Sequence, residues 1–307
     1  MVKHYSNFNI KKLHRGSIIL IGNFDGLHLG HQKLFQLAQS YKKKYNLKIG
    51  VINFDPMPKM FFNEKLKNFR LSKVEQKIKF LSKFKVDFVI TKKFDKKFSK
   101  IKAINFVTEI LCKKLSSKFI FVSNNFRFGN KREGNVNLLK KYEQLFNYKV
   151  VKPEPLIKSN KIVSSSLIRY LLEKGLLDKA NYLLKRNWTI QGVVKKGRQV
   201  GKKIGFPTCN IDIHDYVPAK PGVYAVKVFR KNNTKYLRGI ANLGFRHTFN
   251  QKKILLEVHL FNFSGNLYNK LLSVEFLKFI RKEKKFNNVN QLRAQIKKDL
   301  NIAKKTK

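Results

Sequence analysis

The sequence predicts two domains of different class: an N-terminal α/β domain on a parallel sheet, and a C-terminal β-barrel-like domain closed by a helix. Three observations carry this. Short apolar runs alternate with amphipathic stretches up to Leu184, whereas from Trp188 strand-like segments follow one another across turn-rich linkers. Beyond Asn288 a tail places Val289, Leu292, Ile296 and Leu300 at helical spacing. The 307 residues, 43% of them hydrophobic, suffice for two cores.

In the first part Ser17–Ile21, Lys48–Phe54, Val86–Thr91, Phe119–Ser123 and Tyr148–Lys152 read as strands. They are short apolar runs of the kind buried on both faces of a parallel sheet. Between them, Lys73–Lys83 carries Val74, Ile78 and Leu81 at helical spacing, and Ala103–Leu115 carries Phe106, Val107, Ile110 and Leu111. Strand–helix alternation of this kind predicts a parallel sheet flanked by helices. A last helical stretch, Leu167 to Leu184, ends the region, and the boundary falls near Lys185–Asn187, dividing the chain into 1–186 and 187–307. In the second part Gly222–Phe229, Tyr236–Gly244, Ile254–Phe261 and Ser273–Ile280 read as strands of a barrel.

Composition narrows the class. No apolar run approaches the ~18 residues that span a bilayer, and the first residues lack the apolar core of a secretion signal. Cys112 and Cys209 form neither a disulfide framework nor a metal-ligand cluster. A soluble cytoplasmic protein is expected. Sixty-seven Lys+Arg against 18 Asp+Glu give a formal charge of +49, which ordinarily points to a polyanionic partner. Here the lysines run through the whole chain, and Lys, Phe, Asn and Ile are abundant together, as an AT-biased genome would encode. Nonspecific binding to nucleic acid at low salt follows from the charge; a specific nucleic-acid role does not.

The most informative stretch is IILIGNFDGLHLGH. Ile18 to Ile21 form a strand, Gly22, Asn23, Asp25 and Gly26 a turn, and His28-Leu29-Gly30-His31 opens an amphipathic helix with Leu34, Leu37, Ala38, Tyr41 and Tyr45 on one face. Backbone N–H groups and the helix dipole favour a phosphate at such an N-terminus. Glycine admits close approach of a nucleotide, and histidines can donate to oxygens on which charge builds up. Ligands of parallel sheets sit beyond the carboxyl ends of the strands, where this turn lies. A plain surface turn would explain two histidines alone; the full order is more specific.

A second candidate site follows Trp188. Gly192, Gly197, Gly201 and Gly205 punctuate GVVKKGRQVGKKIGFPTCNI, a lysine-bearing loop suited to covering phosphates. Thr208 and Asn210, two apart, point the same way in an extended segment. Their hydroxyl and amide oxygens are hard ligands suited to Mg²⁺; a turn with an Asx hydrogen bond is the simpler alternative. In Ile254–Leu260, Leu256, Val258 and Leu260 share one strand face, and Glu257 and His259 the other. A carboxylate in that setting can accept a proton from a substrate hydroxyl, or it is simply a solvated strand glutamate.

The first turn resembles the signature of the HxGH nucleotidyltransferases, which attack the α-phosphate of a nucleoside triphosphate and release pyrophosphate. Over nearly its whole length the chain resembles the bacterial bifunctional riboflavin kinase/FMN adenylyltransferases (FAD synthetases). The resemblance is carried by GNFDGLHLGHQ, NFDPMP, LSKVEQKIKFLSKFKVD, NNFRFG and SSSLIR in the first domain. In the second it is carried by GRQVGKKIGFPTCN, KPGVYAVKV, GIANLGFRHTF, LLEVHLFNFSGNLY and LRAQIKKDL. It implies a Rossmann-like adenylyltransferase domain and a barrel riboflavin kinase domain. The kinase would convert riboflavin and ATP to FMN, and the adenylyltransferase FMN and a second ATP to FAD.

By the same resemblance Glu257 matches the kinase general base, Thr208 and Asn210 its Mg²⁺–ATP ligands, and Gly197, Gly201 and Gly205 its ATP loop. His28 and His31 match the phosphate-binding histidines of the adenylyl step. Gly22, Phe24, Asp25, Gly30, Ser165 and Ser166 match ATP contacts, and Arg169 an arginine whose fork suits anionic oxygens. Asn125 and Phe126 fall at the flavin side. Mg²⁺, ATP, riboflavin, FMN and FAD are the implied cofactors, substrates and products, with no membrane partner and a homo-oligomer left open. Met57 stands where His is usual, Asn135 where Asp is, and Leu167 where a basic residue is frequent, so an alternative is a kinase with a weakened adenylyltransferase. In the second domain His247 replaces a common Pro and Asn269 a common Gly. A basic RNA-binding protein would instead need a localised basic face with exposed aromatic platforms, and the aromatics here sit within apolar patterns.

Overall fold

The computed structural model describes residues 2–66, 68–197, 199–230, 235–248 and 251–306; side chains at 200, 245–248 and 251–253, His247 among them, lie outside the described residues. The chain divides into two compact units, Met1–Lys67 with Val74–Ser164, and Asn68–Lys73 with Ser165–Lys307.

The first unit contains β1 (Lys3–Tyr5), β2 (Ile18–Ile21), β3 (Ile49–Asp55), β4 (Phe88–Lys93), β5 (Phe119–Phe121), β6 (Arg127–Phe128), β7 (Gly134–Asn135), β8 (Lys149–Val151), β9 (Ile157–Lys158) and β10 (Lys161–Ile162). Six of them form a parallel sheet in the order β1-β4-β3-β2-β5-β8. From β2 the chain builds outward through β3 and β4, then crosses back to add β5 and β8 on the other side. That reversal makes the carboxyl ends of β2 and β5 the topological switch point, the place where sheets of this class bind ligands. Successive side chains alternate across the sheet. Ile19, Ile21, Ile52, Ile90 and Ile120 pack with Phe106 and Leu111 in one core. Ile18, Leu20, Val51, Val89 and Phe121 pack with Leu34, Phe35 and Ala38 in the other.

Several local features differ from the sequence reading. Gly192, read as part of the glycine loop, lies in a strand, Thr189–Lys195, paired with Leu272, and Cys209–Asp212 is a further strand, since short or glycine-bearing segments carry little strand signal. The stretch 103–115 is a short α-helix, Ala103–Asn105, followed by a π-helix, Phe106–Lys114; Phe106, Val107, Ile110 and Leu111 face inward under either spacing, so the apolar pattern does not distinguish them. The stretch 167–184 is two helices, Ser165–Glu173 and Leu177–Leu184. The first is closed by bonds from Leu176 N–H to Leu171 O and from Gly175 N–H to Leu172 O, a Schellman termination with Gly175 in the left-handed position. Strand β1 has no apolar alternation and is held at the sheet edge by its pairing with β4.

In the second unit β11 (Thr189–Lys195), β12 (Cys209–Asp212), β13 (Gly222–Arg230), β14 (Tyr236–Thr248), β15 (Gln251–Leu260) and β16 (Leu271–Arg281) close a barrel in the order β11-β12-β15-β14-β13-β16. Ile190, Val194, Ile211, Leu243, Leu256, Val258, Val274 and Phe276 are buried. The opposite face of β13 and β14 presents Val223, Ala225 and Ile240, on which the helix Val289–Lys305 lays Ile296, Leu300 and Ala303. Asn288 caps the start of this helix by accepting from Gln291 N–H at 2.9 Å. Arg238 donates to the Ala303 carbonyl at its end. Between them Arg281 grips Asp299 through Nε and Nη2, 2.7–2.9 Å, with Asp299 only 1% exposed. The helices before the barrel belong to this unit by packing: Asn181 donates to Phe276 O and accepts from Trp188 N–H. Trp188 Nε1 reaches Leu71 O at 3.2 Å.

Candidate active sites

The first site is made by a loop that cannot relax into a regular turn. After Ile21 the chain passes through Phe24, Gly26 and Leu27, all at positive φ, two of them residues that rarely adopt it. Burial compensates: Phe24 and Leu27 are 4% and 1% exposed, and the Phe24 ring packs on Phe35 at 5.1 Å. Leu27 N–H donates to Phe24 O, and Gln32 returns from the helix to Leu27 O. His28 then stands as N-cap of the helix Leu29–Tyr45, whose first turn carries no acidic residue. The positive end of its dipole is therefore not offset by a side chain of that turn.

His28 and His31 stack at 3.7 Å between ring centroids. Burial, with His28 and Lys77 beside it, holds the His31 imidazole well below its ordinary range. It is neutral at physiological pH, and one ring nitrogen remains a donor. Lys77, 1% exposed, donates from Nζ to the Asn23 carbonyl at 3.2 Å, tying the turn to the helix Val74–Ser82. His31 Nδ1, Asn23 Oδ1 and both polar side-chain atoms of Asn53 are buried with no hydrogen-bond partner among the described residues. Such a cluster fits a polar ligand. Lys77 and Asn53 carried no signal in the sequence: a lysine on a helix and an asparagine ending a strand are ordinary surface residues until the fold buries them.

Gly22, Phe24, Asp25, His28, Gly30 and His31 all lie in this turn or the first turn of its helix, with Asp25 buried. Asn125 and Phe126 occupy the turn after β5, the strand beside β2, with Asn125 exposed and Phe126 stacked on Phe128 at 5.4 Å. Ser165 and Ser166 begin the helix Ser165–Glu173, in the second unit. Arg169, 8% exposed, lies one turn on; its guanidinium covers the Phe69 ring at 3.7 Å and Nε donates to Phe69 O. Met57 is buried at the N-cap of the short helix Pro58–Phe62. Asn135 caps the helix Val136–Lys141 by accepting from Leu138 N–H at 2.9 Å, a task Asn and Asp perform equally well. Leu167 is half-buried.

The second site is built by strand register on the outer face of the barrel. Asn210 pairs with Glu257, and Glu257 with Asn242, so the three side chains form one row across β12, β15 and β14. His259 pairs with Ile240 in the next row, beside Thr208. A cavity of about 550 Å³ opens over these rows. Thr208, Asn210, Asn242, Glu257 and His259 line it from the strands, and Phe286, Leu292 and Ile296 from the terminal helix and the segment before it. Arg281, Glu283, Lys284 and Asp299 also line it, so the apolar side chains of Phe286, Leu292 and Ile296 lie among charged ones. Asn242, unremarked in the sequence, enters only because register sets it against Glu257.

The glycine loop fits closely over this row. A Cβ on Gly197 would collide with the Asn210 amide, and one on Gly201 with the Phe206 carbonyl, close against the Thr208 side chain. Gly205, at positive φ, follows the helical turn Val200–Lys203. The oxygens of Thr208 and Asn210 suit a hard divalent cation that arrives with a nucleotide. No cluster of three His, Cys, Asp or Glu able to hold a metal occurs among the described residues. Burial raises the Cys209 thiol above its ordinary range, so it is not a thiolate nucleophile at neutral pH. Asn269 has φ 59°, a left-handed position that asparagine tolerates.

A glycine–histidine turn on a parallel sheet and a hydroxyl–amide–carboxylate face on a barrel are the two candidate sites, and the chain's relatives show the class to be that of a two-domain transferase. A family model described as FAD synthetase matches residues 10–167, and one described as riboflavin kinase matches 184–307. A bifunctional riboflavin kinase/FMN adenylyltransferase of Buchnera aphidicola subsp. Schizaphis graminum is 42% identical over 300 residues, 97% of this chain and 96% of the relative. The proteins of the same description from Haemophilus influenzae and Escherichia coli K12 are 39% and 36% identical, covering 96% and 92% of this chain and 96% and 90% of the relatives. A solved structure reported as a macrolide-efflux protein from Streptococcus pneumoniae matches with TM-score 0.87 and 26% identity, over 100% of this chain and 99% of that one. Among the described residues no helix is long and apolar enough to cross a membrane. The chain belongs to the bifunctional riboflavin kinase/FMN adenylyltransferase family, and it makes FMN from riboflavin and FAD from FMN.

Proposed function

We propose that the two activities divide between residues 1–186, the adenylyltransferase, and 187–307, the kinase, with the kinase chemistry on the barrel's outer face. The Asn210–Glu257–Asn242 row facing the cavity is the observation that carries this reading. Glu257 takes the proton of the ribityl 5′-hydroxyl as that oxygen forms its bond to the γ-phosphorus of ATP. The bond to the bridging oxygen breaks, and ADP leaves. The flavin ring packs against Phe286, Leu292 and Ile296, the apolar side chains that line the cavity. Thr208 and Asn210 would hold Mg²⁺ with the nucleotide, and Gly197, Gly201 and Gly205 cover the phosphates. Bound there, Mg²⁺ supplies charge neutralisation on the phosphate oxygens. Positioning by the chain contributes the rest.

In the adenylyl step an FMN phosphate oxygen bonds to the α-phosphorus of a second ATP, and pyrophosphate leaves. His28 and the neutral His31 donate to the phosphoryl oxygens, with the helix N-terminus behind them. Gly22, Phe24, Asp25 and Gly30 shape the nucleotide turn, Ser165, Ser166 and Arg169 take ATP phosphates, and Asn125 and Phe126 contact the flavin. The enzyme works in the cytoplasm, where ATP is abundant and its two free cysteines stay reduced.

Incubation with riboflavin, ATP and Mg²⁺, with flavins separated over time, tests the scheme. FMN followed by FAD is expected, and omission of Mg²⁺ stops the first step. Activity that survives both Glu257→Gln and Thr208→Ala would refute the kinase site.

A further inference from the structure

Among the described residues His259 is the one imidazole lining the cavity on the barrel's outer face, and the scheme above leaves it without a task. Its Nδ1 lies 2.8 Å from the carbonyl oxygen of Pro207. A carbonyl only accepts, so Nδ1 carries the proton and donates it. The ring also meets Phe206 edge-on, 5.7 Å between centroids. The segment gripped in this way is Phe206-Pro207-Thr208, which precedes the β12 ladder beginning at Cys209. Pro207 has no N–H with which to pair, and on its other side the segment is tied to the glycine loop by Phe206 N–H to Gly201 O at 2.8 Å. The Pro207 carbonyl is thus anchored directly to the strand that bears Glu257.

We propose that His259 is a positioning residue for the kinase step: its Nδ1–H···O bond to Pro207 sets Thr208 against Glu257, so that nucleotide phosphates and general base meet on one face. The inference rests on the kinase site proposed above. It also makes the Nδ1 proton part of the site, as a fixed donor towards the segment that carries Thr208.

The test uses the full chain with His259→Asn and His259→Gln. The amide nitrogen of asparagine reaches the place of Nδ1, whereas that of glutamine reaches the place of Nε2. His259→Gln should lower kcat/KM for ATP in FMN formation by about 10²-fold, with KM for riboflavin unchanged, and should weaken ADP binding measured calorimetrically without Mg²⁺. His259→Asn should recover most of both. Nitrogen-15 spectra of the wild-type imidazole should show the proton on Nδ1. Equal losses in the two variants, wild-type behaviour in both, or a proton on Nε2 alone would overturn the proposal. Failure of the underlying reading is separable: Glu257→Gln would then retain kinase activity, whatever the two His259 variants do.

Discussion

The two sites of this chain are built in opposite ways. The proposed nucleotide turn of the α/β unit is contiguous: ten residues, Gly22 to His31, carry the glycines, the imidazoles and the helix start. The barrel face is discontinuous, with Thr208 and Asn210, Ile240 and Asn242, and Glu257 and His259 brought side by side by the pairing of three strands. A contiguous site is held by local strain compensated through burial, as Phe24 and Leu27 show. A register-built site is held by the whole barrel and the helix that covers it. The first should fail by loss of single groups, the second also by loosening at a distance.

Five changes probe that contrast, from the largest expected effect down. Glu257→Gln should lower FMN formation by about 10²- to 10⁴-fold and leave FAD formation from supplied FMN intact; chromatography of both products checks it, and equal loss of both would break the division into independent sites. His28→Ala should do the reverse, costing the adenylyl step about 10²- to 10³-fold with normal FMN formation. Asp299→Asn leaves Arg281 without its counter-charge beneath the terminal helix. Loss of one partner of a buried pair costs about 3–5 kcal/mol, so the second unit should melt earlier and the kinase should fail first on warming.

The fourth change is in pH. His31 stays neutral in the folded state below its ordinary 6.5, while the unfolded chain takes up a proton there. Stability is therefore complete above about pH 6.5 and falls as pH drops below it, since the unfolded state then binds more protons. Urea melts of the wild type should show this slope, and His31→Asn should flatten it. The smallest effect is Asn135→Ala, which removes a helix cap worth about 1 kcal/mol. Asn135→Asp should leave stability and adenylyl transfer unchanged, and a gain in adenylyl activity would show that the departure matters to chemistry rather than to capping.

Much of both sites was legible because their chemistry is concentrated in short motifs. Strand, glycine turn, histidines and helix appear in order at 18–45, and the alternation around Glu257 correctly separates Leu256 and Val258 inside from Glu257 and His259 outside. Lys77, Asn53 and Asn242 were not legible. Lys77 and Asn53 become functional candidates through burial beneath the turn, Asn242 through a cross-strand neighbour distant in sequence. The π-helix at Phe106–Lys114 escaped for another reason, since its inward residues satisfy both helical periods.

By itself the sequence determined the class of each half, the order of most of its elements and the motifs from which the candidate sites are proposed. Hydrophobic period and turn chemistry are local properties, and they persist in any fold that buries them. Only the tertiary structure decided which outer-face residues share a row, where the terminal helix closes over them, and that His259 holds Pro207 rather than standing free. Those are consequences of register and closure. A shift of one residue in β15 would carry Glu257 from the cavity to the interior, and only pairing with β12 and β14 fixes which way it faces.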